Sequence, residues 1–143
     1  MPIKTFRGLM ANDTQDTIVL HTQDGSIGYR IVKFELMQNN PGAVTAEGVV
    51  KIYKTPQTTY DAVVDFSDQR LLAASFYEDT LSSSYITGKT TIFDNEIFNQ
   101  DIYVTYKSTD GTEPFNYYIE LEQVKLDLNE NTVATLKDIR NLS

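Results

Sequence analysis

Phe115-Asn116-Tyr117-Tyr118-Ile119-Glu120-Leu121 is the stretch on which the fold class turns. Phe115, Tyr117, Ile119 and Leu121 occupy every second position, with Asn116, Tyr118, Glu120 and Glu122 between them. A repeat of two marks a strand with one buried face and one wet face, whereas a helix would repeat near 3.6. Beyond Leu121 the apolar residues change parity to Val124, Leu126 and Leu128, which predicts a β-bulge near Glu122-Gln123.

Working outward, the preceding segment from Ile97 to Tyr106 places Phe98, Ile102, Val104 and Tyr106 on one face, with Tyr103 and Thr105 pointing away. Lys107 to Pro114, containing Asp110-Gly111, reads as the loop between these two strands. Tyr29 to Met37 also alternates, with Arg30, Val32, Phe34 and Leu36 opposite Tyr29, Ile31, Lys33, Glu35 and Met37. Asp16 to Thr22 is a shorter strand, and Gln23-Asp24-Gly25-Ser26 between the two has the chemistry of a tight hairpin turn. Asn39-Asn40-Pro41-Gly42 breaks the pattern before a strand from Gly48 to Lys54, in which Val50 and Ile52 share a face. Ala62 to Phe66 reads as a further strand. In Ser67 to Glu78, Ser67 or Asp68 caps one helical turn over Gln69 to Leu72, and Ala73 to Tyr77 runs on as strand; one helix throughout is the alternative. Glu78 to Ser84 is a polar loop, and Tyr85 to Phe93 is strand again.

Only the C-terminus changes period. Asn129 or Asn131 caps a short helix over residues 129–141, in which Val133, Leu136 and Ile139 repeat every three residues. Lys137 and Arg140 fall in its last turn, where cations complement the helix dipole. Such a one-sided helix docks either on its own sheet or on a neighbouring subunit. About eight or nine strands and one short helix predict an all-β fold, an antiparallel β-sandwich or jelly-roll-like arrangement, as a single domain over residues 1–143.

The 143 residues suit one domain, and a chain of this size buries roughly 70% of its unfolded surface without metal or disulfide. Twelve cationic against twenty acidic side chains give a net charge of −8, which argues against nucleic acid as the main partner. Residues 76–143 carry five cations and twelve acids, so most of the excess lies there. Cysteine is absent, which excludes disulfides and thiol chemistry. No apolar run reaches signal-peptide or membrane-span length, and Pro2 stands where myristoylation needs glycine, so a cytoplasmic origin and no membrane partner are expected. The sequons at Asn12 and Asn141 have no secretory signal to make them meaningful.

Catalytic patterns are thin. His21, the one histidine, lacks a local serine and carboxylate and reads as a solvated or core-edge residue. Thr87-Gly88-Lys89-Thr90 resembles the end of a phosphate-binding loop, but Ser83 occupies the place of the first glycine and the following residues favour strand. Asp94-Asn95-Glu96 with Asp101 lacks the spacing of a calcium loop. Glu120 and Glu122 project from one strand face as a glycosidase pair would, yet paired outer-face glutamates are commonplace. No enzyme activity, cofactor or metal is expected. Among sixteen aromatics, Tyr103 and Tyr118 stand on the outward faces of two strong strands, which suits a protein interface or a carbohydrate-stacking platform.

Pro2-Ile3-Lys4-Thr5-Phe6-Arg7-Gly8-Leu9, Gly28 to Phe34, Asn99 to Thr105, and Asn116 to Glu122 with Val133 to Arg140 carry a resemblance. Together they are similar to small virion-associated structural proteins of marine tailed bacteriophages, of the cyanophage and pelagiphage kind. The similarity spans most of the chain, includes no mechanistic motif, and implies a virion structural role. The expectation is a capsid decoration or cement protein; a neck, tail or baseplate component is the alternative, as is a glycan-binding module for host attachment. The expected partners are the major capsid protein or other virion proteins, with the chain as a homo-oligomer or lattice-bound copy in the virion. Ile3 and Phe6 in an N-terminal docking strand over residues 1–10, Tyr103, Tyr118, and Leu136 and Ile139 on the helix are the candidate interface residues.

Overall fold

The computed structural model describes residues 2–40, 46–79 and 88–127. Eight strands run through them: β1 (Ile3–Met10), β2 (Thr14–Ile18), β3 (Ile27–Gln38), β4 (Ala46–Tyr53), β5 (Leu71–Asp79), β6 (Gly88–Phe93), β7 (Ile102–Asp110) and β8 (Phe115–Lys125). They form two antiparallel sheets, one ordered β1-β8-β3 and the other β2-β7-β4-β5-β6. No helix occurs among the described residues, and the C-terminal helix expected over 129–141 lies outside them.

Residues from both sheets meet in one core, so the layers are sandwich-like. β8 supplies Phe115, Tyr117, Ile119 and Leu121 to it, as the alternation requires. Phe98, Ile102, Val104 and Tyr106 are likewise inward. Phe115 joins the layers through edge-on contacts to Tyr77 of β5 and Tyr106 of β7, at ring separations of 5.1 and 5.3 Å. Tyr106 donates its hydroxyl to the Glu113 carbonyl at 2.6 Å, which satisfies the one polar atom of a ring that is 1% exposed. Gly48 is needed beside it: a Cβ there would lie 2.5 Å from the Tyr106 ring.

The structure corrects several expectations. The register break lies in β3, between Ile31 and Lys33, and β8 runs unbroken through Glu122-Gln123. Because of it, Tyr29 and Ile31 share the buried face with Phe34 and Leu36, where simple alternation put them opposite. The Asp24-Gly25 turn forms, with Gly25 at φ 68° and the Asp24 carboxylate accepting from the Ser26 amide, yet it makes no hairpin. Its flanking strands β2 and β3 belong to different sheets. β7 and β8 are likewise in different sheets, and β7 runs to Asp110 before the Gly111 turn at φ 80°.

Ala62 to Phe66 is no strand but part of an irregular loop, with Val63 69% and Phe66 66% exposed. The helical turn after Ser67 is replaced by tight turns in which Asp65 and Asp68 carboxylates accept from the amides two residues on. The loop from Lys54 to Arg70 is closed at its base by the Lys54 amide donating to the Arg70 carbonyl, and it crosses the outward face of the five-stranded sheet. It is pinned by Lys51, whose side chain is 3% exposed and whose ammonium donates to Asp61 at 2.9 Å and to the Val63 carbonyl at 2.7 Å. Burial opposes the charge on Lys51, but Tyr53 and Asp61 outweigh it and hold the group above the ordinary lysine value.

Candidate functional site

In the three-stranded sheet, β8 lies between β1 and β3, so each outward β8 residue has a neighbour on either side. The register gives four rows: Leu9, Asn116 and Met37; Arg7, Tyr118 and Glu35; Thr5, Glu120 and Lys33; Ile3, Glu122 and Arg30. Tyr118 therefore stands near the middle of a face edged by cations and apolar side chains. Its hydroxyl donates to Glu120 at 2.8 Å, which favours the protonated phenol and raises its pKa. The Lys33 ammonium lies 5.7 Å from the Tyr118 ring centroid, a cation–π contact. Arg30 donates to Glu122 at 2.9 Å, and Lys89 of β6 reaches across the sandwich edge to Glu35 at 2.8 Å.

Glu120 and Glu122 are thus bound to different neighbours, Glu120 to Tyr118 and Glu122 to Arg30, and do not act as an acid pair. Lys89 is held by Glu35 and begins a strand, not the helix a phosphate loop needs. Leu9 and Met37 at the end of the face are 54% and 64% exposed. An open groove of about 770 Å³ runs over the upper rows, from Leu9 and Met37 past Tyr118 to Lys33 and Lys89.

The candidate interface residues separate. Ile3 is exposed at the foot of the Tyr118 face. Phe6 points the other way, opposite Ile119, and packs against the core. β1 pairs along its whole length with β8 of its own chain and forms the edge of its sheet, so one side of the strand is used within the molecule. Tyr103 lies in the other sheet between Thr17 and Tyr53, and burial with the nearby Asp101 charge raises its pKa. Since both tyrosines face away from a shared core, they lie on opposite sides of the molecule and form no common platform. Leu136 and Ile139 lie outside the described residues.

His21 follows the end of β2, and its Nδ1 lies 2.7 Å from Asp101. The same carboxylate oxygen accepts from the Leu20 and His21 amides. Burial would raise the Asp101 pKa, but these three partners prevail and lower it. Glu96, from the acidic turn, instead binds the buried Lys54 through both oxygens, at 2.9 and 3.1 Å. Among the described residues, no three His, Asp or Glu side chains gather as a metal-ligand set.

Arg7, Lys33, Leu9 and Met37 were not singled out in the sequence. Nothing local marks them, because they become neighbours only when β1 and β3 flank β8. No family model and no curated protein matches the chain.

Proposed function

We propose that this chain is a bacteriophage virion structural protein, a non-enzymatic capsid decoration or cement protein made in the host cytoplasm and retained on the particle. The sequence resemblance supplies the phage setting. The single structural observation in favour is the open face around Tyr118, where an aromatic ring, cations and exposed Leu9 and Met37 form a shallow protein-docking surface. In this reading the face meets the major capsid protein or another virion protein, and the chain sits as a homo-oligomer or lattice-bound copy. A jelly-roll-like descent of the strands, and a C-terminal helix over 129–141 serving as a second docking element, belong to the same proposal.

Quantitative mass spectrometry of purified particles tests it. A copy number near that of the major capsid protein supports decoration. A small symmetric set of copies moves the chain to the neck, tail or baseplate, and absence from particles overturns the virion reading. The glycan-binding alternative now rests on Tyr118 alone, because Tyr103 faces away from it.

A further inference from the structure

Arg7 lies beside Tyr118 in its row and Lys33 one row along, with its ammonium 5.7 Å from the Tyr118 ring, and neither makes an ion pair among the described residues. The third cation of the groove, Lys89, is neutralised by Glu35. Glu120, the other acid on this part of the face, takes the Tyr118 hydroxyl. Two cations outside any described ion pair, one on either side of β8 and one row apart, are a local exception in a chain of net charge −8. One row along, Leu9 and Met37 flank Asn116 with more than half of each exposed.

We propose that this groove binds an acidic, partly apolar segment of another protein in extended form, with its carboxylates between Arg7 and Lys33 and its apolar side chains on Leu9 and Met37. The inference rests on the docking role proposed above and names the chemistry of the partner. Charge complementarity selects an anion. The apolar row selects a peptide over a polysaccharide, because Leu9 and Met37 gain only by covering apolar surface. Phosphate backbones are disfavoured by the overall negative charge. The two rows are two residues apart along β1, about 7 Å, which matches the spacing of same-face side chains in an extended segment. A ligand pattern of acid, any residue, apolar therefore fits.

The test is a nuclear magnetic resonance titration of the full chain with a synthetic peptide of repeating Glu-Ser-Leu-Ser, against a Lys-Ser-Leu-Ser control and a heparin oligosaccharide. Binding of the acidic peptide is expected to shift amides of Arg7, Leu9, Lys33, Met37 and Tyr118. Affinity is expected to fall about tenfold in R7Q/K33Q, a loss of two exposed ion pairs. The L9S/M37S variant is expected to weaken binding at unchanged salt dependence, and unaltered thermal unfolding of both variants shows that the fold is intact. Acidic-peptide binding no stronger than the lysine control overturns the proposal, as does binding that R7Q/K33Q leaves unchanged or a response to heparin alone. Any of these failures in a chain still found in particles sinks the acidic-segment inference while the virion reading stands.

Discussion

Asp61→Ala and Lys51→Met remove opposite ends of one ion pair, and the structure assigns them unequal costs. Lys51 projects from β4 with its side chain 3% exposed, whereas Asp61, on the Lys54–Arg70 loop, is 64% exposed. Removing Asp61 leaves an ammonium under the loop with the Val63 carbonyl at 2.7 Å and the Tyr53 ring at 5.3 Å. Loss of one partner from a fully buried pair costs about 3–5 kcal/mol. Water reaches the Asp61 side and replaces part of the interaction, which brings the expected cost to about 2 kcal/mol. For a chain of this size that lowers Tm by about 8 °C. Lys51→Met takes away the charge that needs the carboxylate and keeps an unbranched chain of similar reach, so its cost is below about 1 kcal/mol. The double variant should then be no less stable than D61A alone. Urea unfolding of the four proteins gives the coupling directly, and hydrogen exchange over Lys54–Arg70 should rise in D61A. A Lys51→Met variant costing more than D61A, or a coupling near zero, refutes the view that the buried charge, not the packing of its stem, ties the loop down. Acid gives a second reading of the pair. The Lys51 hydrogen bond, against a smaller burial effect, lowers the Asp61 pKa. Its stabilisation is therefore complete above the unfolded carboxylate value, near 3.9, and is lost as pH falls through the lower folded value.

The remaining predictions concern the core and the chain crossings. Gly48→Ala places a methyl 2.5 Å from the Tyr106 ring and should cost about 3 kcal/mol by urea unfolding, with the Tyr106–Glu113 bond disturbed. Ile119→Ala, at a fully buried site in the central strand of its sheet, should cost about 4 kcal/mol by the same measurement. Asp101→Ala strips the acceptor from the Leu20 and His21 amides and should cost about 2 kcal/mol at neutral pH. Because the Asp101 pKa is lowered in the fold, that difference should shrink as pH falls through the folded value, and a cost constant down to strong acid would contradict the assignment.

What could be read in the sequence follows from where each strand sits. β8 is flanked by strands on both sides and keeps one register through Leu121, so its alternation maps directly onto inside and outside. The parity change after Leu121 marks no break in β8, which stays in register with β3 through Val124 while its apolar residues change face. The irregularity that does occur, the extra residue Val32 in β3, shifts only β3's own alternation, and no glycine announces it. Ala62 to Phe66 has the composition of a strand; the aspartates at 61, 65 and 68, each accepting from an amide two residues on, are what mark it as turns. The turn at Gly25 was legible, but whether a turn joins neighbours or carries the chain between layers is decided by the core, not by the turn residues. The same ambiguity conceals that Tyr103 and Tyr118, on successive strands, belong to different sheets. The all-β class and the outward direction of Tyr118, then, came from local periodicity, while the side chains gathered around Tyr118 are a product of long-range pairing and had no local sign.

The two outward faces are treated differently by the chain, and the difference bears on function. Over the five-stranded sheet, the Lys54–Arg70 loop encloses Lys51 and leaves Val49, Tyr53 and Thr105 buried. Two of its acids form ion pairs, Asp61 with Lys51 and Asp68 with Arg70, while Asp65 accepts from Ser67. Phe66 is exposed on this loop and lines a hollow of about 320 Å³ with Ile92, Phe93 and Asp94, so the charges beside those apolar residues, Asp65 and Asp94, are acidic in a chain already of net charge −8. Over the three-stranded sheet, no described loop holds Arg7 or Lys33 in an ion pair, and Leu9 and Met37 remain exposed beside them. Apolar contact supplies affinity and fixed charge supplies orientation, and this second face joins exposed apolar side chains to cations, the rarer charge in this chain. If the chain docks on another protein, physical chemistry therefore favours the Tyr118 side, and substitutions on the loop side should change stability while leaving attachment intact.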